Sequence, residues 1–378
     1  MTAGEIRFYT ASRNCRKEDK MDKKTVCVGM SGGVDSSVAA YLLKEQGYNV
    51  IGVTMQIWQD EDADQISEHG GCCGLSAVDD ARRVAAQLEI PYYVMNFKED
   101  FRKYVIDYFV DEYRNGRTPN PCIACNRYVK WESLLRRSLS IGGDYIATGH
   151  YARVEQLPNG RYTLHVAKGI EKDQTYALYN LTQDQLSKTL MPVGEYNKTQ
   201  IRQIAADIGI QVANKPDSQD ICFVPDGDYA AFIRRHSGKA DTPGDFVDES
   251  GRILGRHKGI AHYTIGQRKG LGIPSNQPLY VKAIDPKSNQ VILSGNDALF
   301  SRQLTGGNFN WIAWEAPPRQ FRCSAKIRYR QTEQPCEVTV EENGSVQVLF
   351  DRPQRAITPG QAVVLYDGDT VLGGGTIL

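Results

Sequence analysis

The run Thr25–Ala40, TVCVGMSGGVDSSVAA, places a strand, a glycine turn and the opening of a helix in direct succession. Thr25 to Met30 is short, apolar and rich in β-branched residues, with Lys23 and Lys24 in front of it, the composition of a buried parallel strand. Ser31-Gly32-Gly33 follows, and from Val34 the apolar positions Val34, Val38, Tyr41 and Leu42 recur at helical spacing up to Gly47. A strand that turns through glycines into a helix aims backbone N–H groups and the positive helix end at an anion, with phosphate the obvious one. The expected fold class is therefore α/β, a doubly wound parallel sheet with its ligand at this turn.

The loop is neither a Walker A loop, since no Gly-Lys-Ser/Thr follows, nor Gly-x-Gly-x-x-Gly. It resembles Ser-Gly-Gly-x-Asp-Ser, the PP-loop of the ATP pyrophosphatases, which split ATP between the α and β phosphates. Ser31, Ser36 and Ser37 offer hydroxyls to phosphate oxygens, and Asp35 in the first helical turn can hold a bridging Mg²⁺. A plain strand-to-helix turn of an α/β sheet is the competing reading.

At 378 residues the chain has room for two or three domains. Forty-five basic residues balance forty-five acidic ones, so a polyanionic partner has to be met by a local patch. Nine cysteines, no recognisable signal peptide and no apolar run near the roughly 20 residues of a membrane span predict a cytoplasmic chain with reduced thiols. Residues 1–23 are polar without a repeating apolar face and are expected to form a flexible tail.

Downstream, residues 49–58 form a second buried strand, and Met55 near its end faces either an adenine ring or the core. A polar loop, 59–74, carries Cys72-Cys73; a helix over 75–88, a strand over 91–97 and a helix over 100–113 follow. The segment Asn115–Arg127, NGRTPNPCIACNR, is read as irregular, with a helix from Arg127 to Leu139. Cys125 then lies at or just before a first helical turn beside Arg127 and Lys130, a setting that favours thiolate, and Cys122-x-x-Cys125 has redox or metal spacing. With no second such pair, a four-ligand structural zinc site is not expected. Residues 144–150 end a strand in glycine, where Gly149 admits close approach of a ligand; His150 is open between catalysis and packing. Lys172, Asp173 and Gln174 either meet a nucleic acid or form a solvated loop. Cys222 closes a second proline-bearing polar loop, 214–224, as either a core residue or the partner of Cys125.

Five motifs in order, SGGVDS, GRTPNPxxxCN, ATGHYA, KDQTY and DSQDICF, resemble the tRNA-specific 2-thiouridylases, the MnmA family, over roughly Thr25 to the C-terminus. The resemblance implies that Gly29, Met30, Ser31, Gly32, Gly33, Val34, Asp35, Ser36, Met55 and Gly149 bind ATP. It makes Cys125 the nucleophile and Cys222 the carrier of a persulfide sulfur. Lys172, Asp173, Gln174, Arg328 and Tyr329 would touch tRNA, and Asn120, Pro121 and Cys122 would border the target base. The partners implied are wobble-uridine tRNA and a persulfide-carrying donor protein, acting on a monomer. Many family members have aspartate where this chain has Cys122, which leaves Cys122, Cys125 and Cys222 as three thiols for an iron–sulfur cluster.

The rest of the chain is β-rich. The expected organisation is a tail, 1–23, a catalytic domain, 24–224, a small β-rich central domain, 225–297, and a C-terminal β-barrel, 298–378. Residues 262–270, HYTIGQRKG, suit either RNA or an exposed hairpin, and Arg322, Lys326, Arg328 and Arg330 read as a basic stripe for phosphates. Cys323 and Cys336 are assigned no chemistry. A PP-loop ligase or amidotransferase would leave the thiol loops and barrel unexplained; an RNA-binding factor with a vestigial nucleotide site would leave the thiols idle.

Overall fold

The glycine turn leaves the middle of a five-stranded sheet in the computed structural model, which describes residues 23–57, 75–210 and 221–378. The expected tail, the loop with Cys72 and Cys73 and most of the loop before Cys222 lie outside the described residues. The chain forms β1 (Thr25–Gly29), β2 (Asn49–Gln56), β3 (Tyr92–Asn96) and β4 (Tyr145–Thr148), then a hairpin of β5 (Ala152–Gln156) and β6 (Tyr162–Val166), then β7 (Thr189–Leu190). Strands β3-β2-β1-β4-β7 pair in that order, all parallel. Both faces are buried, as parallel strands require. Cys27, Val53 and Ile146 point into one core cluster with Phe101, Phe109, Trp131 and Leu134. Val26, Val28, Val50 and Ala147 point into the other, with Val38, Ala81, Val84, Ile201 and Ala205.

Helix α1 (Val34–Glu45), α2 (Leu75–Gln87) and α5 (Lys198–Asp207) supply the second cluster. The helical stretches α3 (98–114) and α4 (121–140) supply the first. Strand order reverses at β1, which has β2 on one side and β4 on the other, so the crevice for a ligand opens beyond the C-terminal ends of β1 and β4.

Strands β8 (Gly244–Val247), β9 (Ile253–His257), β10 (Tyr280–Asp285) and β11 (Gln290–Ser294) make a separate four-stranded sheet over Phe246, Tyr263, Val281, Val291 and Leu293. Tyr263 is thus a core residue, and His262 is held by Asp241 at 2.8 Å, so the 262–270 segment presents neither of these rings to RNA. Strands β12 (Phe300–Trp311), β13 (Gln320–Lys326), β14 (Gln334–Val340), β15 (Val346–Arg355), β16 (Ala362–Asp367) and β17 (Thr370–Ile377) form a sheet that β12 and β17 close into a barrel.

The β5–β6 hairpin lies inside the stretch assigned to the catalytic domain, yet it extends the barrel sheet through β6 beside β17. A two-stranded hairpin is marginal by itself and gains from an existing sheet edge. Other contacts tie the same two bodies together. A Cβ at Gly374 would fall 2.6 Å from the Tyr179 ring, so this strand admits no side chain there. Asn310 donates to the Tyr179 and Leu181 carbonyls at 2.7 and 2.9 Å. The Asn310→Ala variant is expected to lose about 1–3 kcal/mol of unfolding free energy, because both carbonyls lose their donor, and urea titration should show the lower midpoint.

Candidate active site

The α1 N-terminus has no side-chain cap, so its first-turn N–H groups remain for an anion. Serines shape the turn: the Ser31 N–H donates to Ser36 Oγ at 3.1 Å, and the Ser36 and Ser37 hydroxyls donate to the Gly33 carbonyl at 3.1 and 2.9 Å. Gly32 has φ +68°, and a Cβ there would lie 2.3 Å from the Ala77 carbonyl oxygen. Gly149 also admits no Cβ, but its close neighbour is the protein: the added atom would meet the Ser36 nitrogen at 2.6 Å. Its smallness seats the end of β4 on α1. Met55 is half-buried and packs on the core at the end of β2.

Asp35 is held by two residues that the sequence reading missed. The Tyr151 hydroxyl donates to Oδ1 at 2.6 Å, and Lys198 Nζ lies 2.8 Å from both carboxylate oxygens. The donor set fits a cation, since an ammonium already bridges both oxygens of the carboxylate expected to bind Mg²⁺.

The thiol segment differs from expectation. A helix begins at Pro121, with Asn120 as N-cap accepting from the Cys122 N–H at 3.1 Å. Proline suits the first helical position, where its missing N–H has no intrahelical partner to lose. Cys122 therefore occupies the first turn and is exposed, while Cys125 starts a π-helical segment, Cys125–Leu134, and is half-buried. Such segments recur at functional sites. Below it, Asn126 donates to the Ala177 carbonyl at 2.9 Å, and Lys130 bridges Asn126 Oδ1 at 2.9 Å and His150 Nε2 at 3.3 Å. Lys130 can only donate, so Nε2 accepts and Nδ1–H faces Thr148 Oγ1 at 2.6 Å. Desolvation first, and the Lys130 charge second, hold His150 well below the usual histidine range.

Cys222 is half-buried and packs with Cys125 against one core cluster. Its neighbour Phe223 anchors the segment, with ring centroids 5.8, 5.2 and 5.0 Å from Phe101, Phe109 and Phe232. Among the described residues no group of three His, Cys, Asp or Glu side chains is gathered to hold a metal, so the structure gives the iron–sulfur cluster on Cys122, Cys125 and Cys222 no support.

The residues expected at RNA separate into two kinds. Lys172 is exposed, Tyr329 is exposed, and Gln174 joins them to the loop: its side chain accepts from the Tyr151 N–H at 2.8 Å and hydrogen-bonds Tyr329. Asp173 and Arg328 are committed inside. Asp173 accepts from the Thr175 hydroxyl at 2.7 Å and lies 3.8 Å from Lys326, and burial raises its carboxyl above the usual range. Arg328 donates to the Arg355 and Ala356 carbonyls at 3.1 and 2.5 Å. The expected basic stripe is only partly present: Arg322 is exposed but pairs with Asp351 at 2.7 Å, Lys326 lies 3.2 Å from Glu333, β13 ends before Arg328, and Arg330 is exposed. Cys323 and Cys336 face each other across β13 and β14, sulfurs 3.8 Å apart.

A glycine phosphate loop at the switch point of a parallel sheet, joined to a second β-domain and a closed barrel, defines the class: a PP-loop nucleotide-using domain with two β appendages. Family models match it piece by piece, a tRNA methyl transferase HUP domain over residues 24–226, a tRNA methyl transferase PRC-barrel domain over 230–295 and an aminomethyltransferase beta-barrel domain over 301–377. The tRNA-specific 2-thiouridylase MnmA of Lachnoclostridium phytofermentans is 64% identical over 355 residues, 94% of this chain and 99% of that protein. The namesake from Clostridioides difficile is 54% identical over 358 residues, 94% and 98% of the two chains. Similar solved structures include a 4-thiouridine synthetase–RNA complex with bound ATP, 16% identical with a TM-score of 0.33 over 56% of this chain and 50% of that one. An NH3-dependent NAD synthetase from Campylobacter jejuni is 15% identical with a TM-score of 0.31 over 58% and 77%. The chain belongs to the tRNA-specific 2-thiouridylase (MnmA) family of sulfurtransferases.

The His150 environment sets a pH dependence. Burial holds its folded-state value below the ordinary histidine 6.5, so the stability held above that pH is lost as pH falls below it, by at most about 1.4 kcal/mol per pH unit for one proton. Urea midpoints at pH 7.5 and 5.5 should therefore fall less in His150→Gln than in the parent chain.

Proposed function

We propose that the chain 2-thiolates the wobble uridine of tRNA, using ATP to activate the uracil C2 oxygen and a cysteine persulfide as the sulfur source. The observation that carries the reading is that two half-buried thiols, Cys125 and Cys222, pack against the same core cluster of a PP-loop fold. A uracil C2 carbonyl is a poor electrophile. Attack of its oxygen on the α-phosphorus of ATP forms an O–P bond, releases pyrophosphate with the electron pair of the broken P–O bond, and sheds the N3 proton to solvent. AMP is then a good leaving group at C2.

Sulfur reaches C2 by one of two balanced routes. The terminal sulfur of a Cys222 persulfide attacks C2 and AMP departs, after which the Cys125 thiolate attacks the Cys222 sulfur and releases the thiouridine sulfur. Alternatively Cys125 attacks the persulfide first, expelling hydrosulfide, which attacks C2. Each route leaves a Cys125–Cys222 disulfide that a two-electron thiol reductant reopens, and each charges Cys222 anew from a persulfide donor protein. Asp35 would hold Mg²⁺, whose chemistry is to neutralise phosphate charge; Ser31 and Ser36 and the α1 N–H groups would orient the phosphates.

Gln174 and Tyr329 support a tRNA-facing rim that includes Asn120, Cys122 and Lys172. Cys122, at the first helical turn, is proposed to border the base and to take no part in sulfur transfer, and no cluster enters the mechanism.

Single-turnover assays with unmodified wobble-uridine tRNA, Mg·ATP and a persulfide donor, run without oxygen on metal-free protein, should give AMP, pyrophosphate and 2-thiouridine in equal amounts. Cys125→Ser and Cys222→Ser are each expected to lower thiouridine formation by at least about a thousandfold while leaving ATP and tRNA binding within a few-fold. Activity retained in either variant, or thiouridine formed only after iron–sulfur reconstitution, would refute the mechanism.

A further inference from the structure

Lys198 has no role in the scheme above, yet it reaches the phosphate loop from the first turn of α5, 163 residues away in sequence. Its ammonium lies 2.8 Å from each oxygen of Asp35, its side chain is only 14% exposed, and the Tyr151 hydroxyl completes the carboxylate at 2.6 Å. A lysine buried to this extent on an acid is an expensive way to join two helices. Helices α1 and α5 are already joined without it, through Val38, Ile201 and Ala205 in one core cluster. The ammonium takes the bidentate position that a divalent cation on Asp35 would need, and two cations cannot share it, since at 4 Å their repulsion is several kcal/mol near a protein surface. Asp35 would have to release the lysine in order to hold a metal that accompanies nucleotide phosphates. The nearest strong acceptors are then the phosphate oxygens at the uncapped N-terminus of α1, one turn or less from Asp35.

We propose that Lys198 is a catalytic residue that rests on Asp35 in the nucleotide-free protein and transfers to the ATP phosphates when Mg·ATP binds. There it neutralises the charge that gathers on the departing pyrophosphate as the uracil oxygen attacks the α-phosphorus, and Asp35 is left free to hold Mg²⁺, which would neutralise phosphate charge. The proposal rests on the ATP-dependent reading given above and adds a residue to it.

The test uses the full chain and an acyl-phosphate derivative of ATP, which acylates lysines within reach of the bound phosphates. Peptide mass spectrometry should find Lys198 acylated, with at least tenfold suppression by excess Mg·ATP. Lys198→Met should slow AMP formation about 10²–10³-fold while the ATP dissociation constant from equilibrium dialysis moves less than tenfold, and Lys198→Arg should recover part of the rate. Normal ATP binding with Lys198 unlabelled, or adenylation by Lys198→Met at the parental rate, overturns the proposal and leaves the ATP reading standing. A parent protein that binds no ATP overturns both.

Discussion

No Cβ fits at Gly32 or Gly149, and the site depends on that absence. Gly32 turns the chain at φ +68° against the Ala77 carbonyl, and Gly149 seats the end of β4 on the first turn of α1. The two contacts bring the loops after β1 and β4 together at the place where the strand order reverses. Everything delivered by β4 and its continuation, Thr148, His150 and Tyr151, is positioned by the backbone-to-backbone closeness at Gly149. A methyl group there would push the whole set away from the phosphate loop.

From this junction a chain of hydrogen bonds runs outward. Asp35 accepts from the Tyr151 hydroxyl, the Tyr151 N–H donates to Gln174, and Gln174 bonds Tyr329 of the barrel. The barrel also grips the thiol segment from behind: the Thr118 N–H donates to the Pro359 carbonyl at 2.9 Å and Gln361 donates to the Thr118 carbonyl at 2.8 Å. The loop that leads into Cys122 and Cys125 is therefore held by the barrel on one side and by the catalytic sheet's helices on the other. The proposed sulfur transfer needs this rigidity, since chemistry between positioned groups is sensitive to errors of about 1 Å.

Local order in the chain makes part of this legible. The run Thr25–Ala40 predicts β1 and α1 because its strand, turn and helix signals are contiguous, and the observed β1, Thr25–Gly29, ends one residue from the expected bound. Helix α5, Lys198–Asp207, likewise opens on a local signal, with Asn197 supplying a capping box. The start of α4 is misread because Asn120 and Pro121 are both loop residues and helix openers, and only the N-cap geometry tells which. Lys198 on Asp35, Arg322 on Asp351 and the β6–β17 junction are invisible for a different reason. Each joins residues far apart in sequence, and a basic residue carries no local mark of the acid or carbonyl that will take it.

That last point bears on how a chain with 45 basic and 45 acidic residues handles a polyanion. Arg322 and Lys326 are paired with Asp351 and Glu333 and Arg328 is spent on two carbonyls, so the charge of these three is partly neutralised, while Arg322 and Arg330 stay exposed. The rim that remains is mixed: Lys172 with a cation, Tyr329 with a ring, Gln174 with an amide and Cys122 at a helix opening. Rings and amides recognise an unstacked base by face and edge, and such recognition depends little on salt. Phosphate contacts act at long range and are shared by every RNA. The proposed rim, with a ring and an amide beside the Lys172 cation, is equipped to recognise an unstacked base by face and edge.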